Sequence, residues 1–326
     1  MKRKRQDILL HAVLMAIVFL TMVPFIFVLN NSFRSNMEMY HAFFGFPKNM
    51  KDMIRFTWYG ATGREDRIEL KALDETVPQD VRASEVAPEH MKYGQAMNYL
   101  LGDMTRGYRY CWDYLRPYML NTFLVCLATV LGVVLIGSIS AYVFSRYRFP
   151  GHRYLFVIVL SIMMIPHILT LVPGFLLVKK LGLLNSYWVL ILPYVAGGQI
   201  FSIFVFKSFF DGLPEDLFES ARIDGAGHFS IYWNIVLPLS KPVIAVVAVV
   251  NILGTWNNFL WPFICNNDPK YHVVASGLFL MGATQVAANM STMYAAYILS
   301  SLPLLILFIY ATKPFIKGVT TGAFKA

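Results

Sequence analysis

Residues 211–242, DGLPEDLFESARIDGAGHFSIYWNIVLPLSKP, form a polar island between two hydrophobic segments. Pro214 suits the first position of a helix, and Glu215 and Asp216 set negative charge at that helix's positive end. Leu217 and Ala221 fall on one face with Phe218 beside them, while Glu219 and Arg222 stand three apart on another and are spaced to pair. Asp224-Gly225-Ala226-Gly227 then stops the helix, because glycine adopts the left-handed cap conformation at little cost. A second short helix follows, aromatic and apolar through Phe229, Tyr232, Trp233, Ile235 and Val236. Pro238 is expected to end it before Lys241-Pro242 opens a new apolar run. The pattern predicts a helix, a glycine hinge and a helix held at a membrane surface, a shape suited to docking into another protein.

Working outward, the chain is 57% hydrophobic and 14% charged, the composition of a polytopic membrane protein. Six apolar runs reach the roughly 20 residues that cross a hydrocarbon core. They lie near residues 8–29, 120–144, 154–177, 187–206, 242–264 and 295–313. The first follows Lys2-Arg3-Lys4-Arg5 but outruns a signal-peptide core and lacks a small-residue cleavage site, so it is read as a retained span. The fold class expected is all-α, with six transmembrane helices.

Lysine and arginine orient those spans. Segments expected in the cytoplasm hold residues 2–5, Arg146, Arg148, Arg153, Lys207, Arg222, Lys241, Lys313, Lys317 and Lys325, whereas the short outer loops hold only Lys179, Lys180 and Lys270. That asymmetry puts both termini and the island in the cytoplasm. It also accounts for the net charge of +9 without nucleic acid. The expected organisation is residues 1–29 as N-terminus and first span, 30–119 as an extracytoplasmic loop, 120–313 as the transmembrane core with loop 207–241, and 314–326 as a cytoplasmic tail. Within the outer loop, residues 64–92 read as solvated chain. Tyr108, Tyr110, Trp112, Tyr114 and Tyr118 read as an interfacial aromatic belt.

Polar residues and helix breakers cluster in spans three to five. Pro166, His167 and Pro173 interrupt the third, Pro193, Gly197 and Gly198 the fourth. A solute path lined by amides and aromatic rings would draw on Gln199, Asn251, Trp256, Asn257 and Asn258; helix-to-helix packing uses the same residue types. No Gly-Lys dipeptide, His-Glu-x-x-His, Cys-x-x-Cys or Gly-x-Ser-x-Gly occurs, so phosphate-loop, zinc and serine chemistry have no local support and no metal site is expected. Three cysteines make no disulfide framework. A secondary transporter or channel for a small polar solute is the alternative, although the span interiors lack the acids that ion-coupled carriers use. A membrane-embedded enzyme would need clustered ionisable or metal-binding groups near an interface, and the island's acids match helix starts and pairing rather than a metal site.

Glu219-Ser220-Ala221, Asp224-Gly225 and Ile235-Val236-Leu237-Pro238 resemble the EAA signature of membrane subunits of ATP-binding cassette (ABC) importers. The resemblance continues through NTF at 121–123, SAYVFSRYRFPGHR at 140–153, LGLLNSYWVLILPY at 181–194, TWNNFLWP at 255–262 and KGVTTGAFKA at 317–326. It is greatest to the carbohydrate branch, the second permease of maltose-type and glycerol-phosphate-type systems. Ser220 replaces the usual alanine, and Asn258 stands where an acid commonly follows Trp-Asn. The resemblance implies a type I importer permease without its own ATPase site, in a bacterial or archaeal plasma membrane. It implies two ATP-binding cassette subunits that hold ATP and magnesium, a second homologous permease and an extracytoplasmic solute-binding protein, with membrane lipid around them. It also makes Leu217, Phe218, Glu219, Ser220, Ala221, Arg222, Asp224 and Gly225 the ATPase-coupling residues: Leu217, Phe218 and Ala221 as apolar contact, Glu219 and Arg222 as polar rim. Residues 266–293 would lie near the translocation mouth, with the binding protein touching Gly282 to Gln285.

Overall fold

A computed structural model describes residues 2–42, 44–62, 93–283 and 289–323. Residues 64–92 and Gln285 lie outside the described residues. Among the described residues there are helices and turns but no strands, the expected all-α architecture. Among the described residues four helices are long and apolar enough to cross a membrane, or up to six spans if two bent pairs each count as one.

The chain falls into two compact units, residues 1–114 with 281–299, and residues 115–280 with 300–326. The first contains α1 (Lys2–Asn31), α2 (Asn36–His41), α3 (Lys48–Thr62) and the opening turns of α4 (Tyr93–Arg146) and α14 (Met290–Ala323). After α1 the chain folds back around Arg34, whose buried guanidinium donates to Asn31 Oδ1 at 2.7 Å, to the Glu38 carbonyl at 2.5 Å and to the Ala42 carbonyl. Ser35 and Glu38 cap α2 reciprocally, the arrangement that satisfies two free N–H groups at once. Ser32 Oγ and Tyr108 Oη lie 2.6 Å apart and tie the end of α1 to α4.

α4 departs most from the sequence expectation. Helix was anticipated from residue 120, yet α4 begins at Tyr93. Residues 93–119 carry too many charges to register as an apolar run, but Leu100, Met104, Cys111 and Leu115 are all buried and recur at helical spacing. Asp103 and Arg106 pair along the outside at 3.5 Å. Length-based scanning misses such an amphipathic helix, whereas 3.6-residue periodicity reveals it.

The second unit comprises the rest of α4, then α5 (His152–Ser161), α6 (Leu171–Lys180), α7 (Trp188–Asp211), α8 (Asp216–Ile223), α9 (His228–Ile231), α10 (Leu237–Leu239), α11 (Lys241–Asn257), α12 (Leu260–Cys265), most of α13 (Val274–Ala283), and α14 from Ser300. The third expected span is bent by 93° between residues 164 and 167. Pro166 explains this: Ile165 before it takes extended backbone (φ −78°, ψ 118°), as residues preceding proline favour. The fifth expected span divides at Asn258, whose backbone is extended (ψ 111°). Two apolar cores form in this unit. One joins Val133, Tyr142, Phe206, Phe210, Phe218 and Val236; the other joins Val125, Val178, Leu190, Trp261 and Val273. All three cysteines are buried and unbridged.

Candidate functional site: the short-helix island

α8 begins just past Pro214, with Asp216 and Glu219 in its first turn and Arg222 in its last, charges that complement the helix dipole. Its end is a Schellman cap. The Gly225 N–H bonds the Arg222 carbonyl at 3.0 Å and the Ala226 N–H bonds the Ala221 carbonyl at 2.9 Å. Closing both bonds needs a left-handed residue, and Gly225 supplies it at φ +78°. α9 runs on through a π-turn at Tyr232–Val236 into α10. Pro238 sits inside this run, and the break comes at Ser240, where the axis bends by 74° into α11.

The last turns of α4 clamp the island. Arg146, with its side chain only 8% exposed, meets Glu215 at 2.5 Å and lies 3.7 Å over the Phe218 ring. The same guanidinium donates to the Phe210 carbonyl at 2.5 Å, so one cation caps the C-terminal end of α7 and holds the start of α8. Nearby, Asp211 accepts from Ser145 Oγ at 2.7 Å and from Lys207 Nζ at 2.5 Å. α9 and its π-turn are fixed from α4 and the residue after it: Tyr147 packs on His228 with centroids 4.5 Å apart, and Tyr232 Oη meets Ser138 Oγ at 2.8 Å.

This geometry revises which side chains face outward. Phe218 and Ala221, expected on the docking face, are turned into the chain's own core at 1% and 8% exposure. Helical spacing places them three apart on the inner side. Leu217 is exposed as anticipated, but the larger outward groups are Ile223 at 86%, Phe229 at 77% and Trp233, the last two stacked with centroids 6.3 Å apart. The signal for Phe229 and Trp233 was their four-residue spacing on the aromatic second helix, whereas Ile223, the last residue of α8, carried none. Glu219, Ser220, Arg222, Asp224 and Gly225 are all exposed. Glu219 and Arg222 form no ion pair among the described residues; Glu215 takes the basic partner instead.

The expected path residues separate. Trp256 is buried and donates Nε1–H to the Ser300 carbonyl at 3.2 Å, and Asn258 Oδ1 accepts the Trp261 N–H at 3.3 Å to start α12. Both serve the packing of the second unit. Gln199, Asn251 and Asn257 each donate their amide to the carbonyl four residues back, at 3.0, 2.8 and 2.9 Å. Asn251 lies where α11 crosses α7: a Cβ on Gly198 would stand 2.5 Å from its Oδ1 and 2.6 Å from Val133 of α4, so only glycine allows this three-helix approach. The Gln199 Oε1 is buried without a partner, and Asn257 is exposed.

Near the other end of the α4 stretch in the second unit, residues 115–146, lies a second polar network that the sequence reading did not anticipate. Asn121 Nδ2 donates to the Lys270 and His272 carbonyls, both at 2.8 Å, and Tyr187 Oη donates to Asn121 Oδ1 at 2.8 Å. Asn185, in left-handed backbone at φ +52°, accepts the Asn267 and Asp268 N–H groups at 2.7 and 3.2 Å. Asn266 accepts the Ser186 N–H at 3.2 Å. Burial pushes the His272 imidazole below its ordinary pKa, a shift that Asp268 partly offsets. Among the described residues, no three His, Cys, Asp or Glu side chains gather as a metal site.

Residues 133–320 match the family model described as binding-protein-dependent transport system inner membrane component. The chain is 35% identical to the diacetylchitobiose uptake system permease protein NgcG of Streptomyces coelicolor, over 64% of this chain and 69% of that protein. It is 36% identical to the galactooligosaccharides transport system permease protein GanQ of Bacillus subtilis, over 65% and 75%. The maltodextrin transport system permease protein MalD of Streptococcus pneumoniae is also 36% identical, over 63% and 74%. In fold, the chain is similar to one in the crystal structure of a bacterial ABC transporter involved in the import of the acidic polysaccharide alginate. That likeness has a TM-score of 0.65 at 19% identity and covers 97% and 98% of the two chains. With helices built to span a bilayer and a family match across most of the second unit, the chain belongs to the binding-protein-dependent transport system inner membrane components, and is a permease subunit of an ABC importer rather than an enzyme.

Proposed function

We propose that this permease carries a carbohydrate inward across a prokaryotic plasma membrane, beside a second permease of similar design. Two ATP-hydrolysing subunits, which hold the ATP and magnesium, drive it from the cytoplasm, and an extracytoplasmic solute-binding protein delivers the sugar. The relatives named for diacetylchitobiose, galactooligosaccharides and maltodextrin support the carbohydrate class. The observation that carries the coupling reading is the exposure of Leu217, Ile223, Phe229 and Trp233 on a mount whose underside is locked to α4 and α7. Exposed apolar groups among charged residues fit a groove on a partner, and aromatic anchors supply most of the binding energy at such contacts.

In this reading α8 is the part gripped by the ATPase. Arg146 bonds α7 and α8 together and stacks on Phe218, so movement of α8 is passed to α4 and α7 without slack. α4 then carries it along the helix, about 38 Å from Arg146 to Asn121 at 1.5 Å per residue. Ile223→Asp combined with Phe229→Ser should weaken ATPase-subunit binding at least about 30-fold, the equivalent of one hot-spot contact of about 2 kcal/mol. Sugar uptake should stop while membrane insertion is retained. Normal uptake by this variant would refute the docking role. Uptake assays with labelled chitobiose, galacto-oligosaccharide and maltodextrin address the substrate class separately: import of none of them, by a complex with active ATPase, would refute the carbohydrate reading.

A further inference from the structure

The segment between the first two long helices precedes the family match at residues 133–320, and it holds a feature that transport coupling does not use. α3 starts level with the end of the first span. Asn30, in the last turn of α1, donates Nδ2 to the Gly45 carbonyl at 2.8 Å, and the Lys48 N–H at the head of α3 bonds the Glu38 carboxylate at 2.8 Å. One side of α3 is held against α4, where Asn49 Nδ2 donates to Asp103 Oδ2 at 2.7 Å. Side chains on the opposite side are exposed among the described residues. Ile54 and Trp58, one turn apart, are 60% and 56% exposed; Lys51 and Arg55, also one turn apart, are exposed directly beside them.

An apolar row bordered by a basic row, placed where an apolar span ends, matches a helix lying in the headgroup layer. Tryptophan favours that depth, and lysine and arginine reach from it to phosphate. Tyr40 and Phe44, just before α3, are likewise strongly exposed and continue the same belt. We propose that α3 is a membrane-surface anchor. Ile54 and Trp58 enter the boundary between headgroups and acyl chains, and Lys51 and Arg55 lie on the phosphates of lipid headgroups. The anchor would hold the head of α4 at a fixed depth through the Asn49–Asp103 bond, independently of how the island is driven.

The test uses the full transporter in lipid nanodiscs with a nitroxide on Ile54→Cys, the native cysteines being buried. Collision with dissolved oxygen and with a water-soluble nickel chelate is then compared. The label should favour oxygen, at a depth of about 5–10 Å, and a label on Lys51→Cys should shift toward the chelate. Chelate access at position 54 equal to that at 51, or shielding from both probes by protein, would overturn the proposal. If Ile54→Cys fails to assemble, the emission of Trp58, taken as the difference between wild type and Trp58→Phe, replaces it. Quenching by lipids brominated on the acyl chain supports the anchor; quenching by aqueous iodide but not by those lipids overturns it.

Discussion

Along the stretch of α4 that belongs to the second unit, residues 115–146, Asn121 near one end joins neighbouring loops through an amide consumed by backbone partners, while at the other end Arg146 holds two helices beside the exposed Leu217 and Ile223. Both ends are rigid, but for different reasons. The Asn121 end is fixed by hydrogen bonds that replace water around irregular backbone, as polar chain near a bilayer requires. The Arg146 end is fixed by burying Phe218 beneath a cation and Tyr232 against Tyr142. At the first end the exposed Leu120, Phe123, Leu124 and Trp188 belong to the long apolar helices themselves, whereas at the second the exposed Ile223, Phe229 and Trp233 stand on short helices of a polar island. A structural closure needs no such surface; a lever gripped by another protein does.

The largest effect expected from breaking this contrast is at Phe218. Phe218→Ala removes a fully buried ring under Arg146 and should cost about 3–5 kcal/mol, read as early loss of folded protein on heating in detergent. A change below about 1 kcal/mol would mean that α8 is not mounted as described. Next comes Asn266→Ala, which leaves the Ser186 N–H without its side-chain acceptor and should cost about 1–3 kcal/mol. That variant should lower thermal stability yet keep ATPase-subunit binding, because the damage lies in the Asn121 network, away from the island. Gly225→Val forces a β-branched residue to φ +78°, at about 1–2 kcal/mol. Nothing lies within 4 Å of an added Cβ there, so the penalty is backbone strain at the hinge. Transport-coupled ATPase should fall more than thermal stability does.

The smallest effect is the pH response of the Asn121 end. Since burial lowers the His272 pKa, the folded chain favours neutral imidazole. Its contribution is present above the ordinary histidine value of about 6.5 and is lost as pH falls below that value toward the lower folded one. Wild type should therefore lose slightly more stability than His272→Gln between neutral and mildly acidic pH. Identical pH profiles for the two would remove His272 from the network.

Much of this was legible in the residues themselves. The island's boundaries, its glycine hinge and its second helix follow from Pro214, Gly225 and the aromatic run, because capping and proline effects act within a few residues. Which face of α8 points outward was not legible, since Phe218 and Leu217 are adjacent and equally apolar; the deciding partner, Arg146, is some seventy positions away. The 93° bend at Pro166 had a local cause and was readable in principle. The Asn121–Asn185–Asn266 network was not, because three separated asparagines carry no periodic signal until the chain brings them together. Trp256 and Asn258 looked like path residues by type, and only tertiary contacts show them spent on packing.

The central claim is that the Ile223 face lies in the cytoplasm and is covered by an ATPase subunit. A single cysteine at position 223, probed with a membrane-impermeant maleimide, tests it directly because the native cysteines are buried. The account predicts no labelling in intact cells, rapid labelling in inside-out vesicles stripped of the ATPase, and protection when the ATPase is restored. Labelling from outside intact cells, or labelling in the vesicles that the ATPase leaves unchanged, would contradict it.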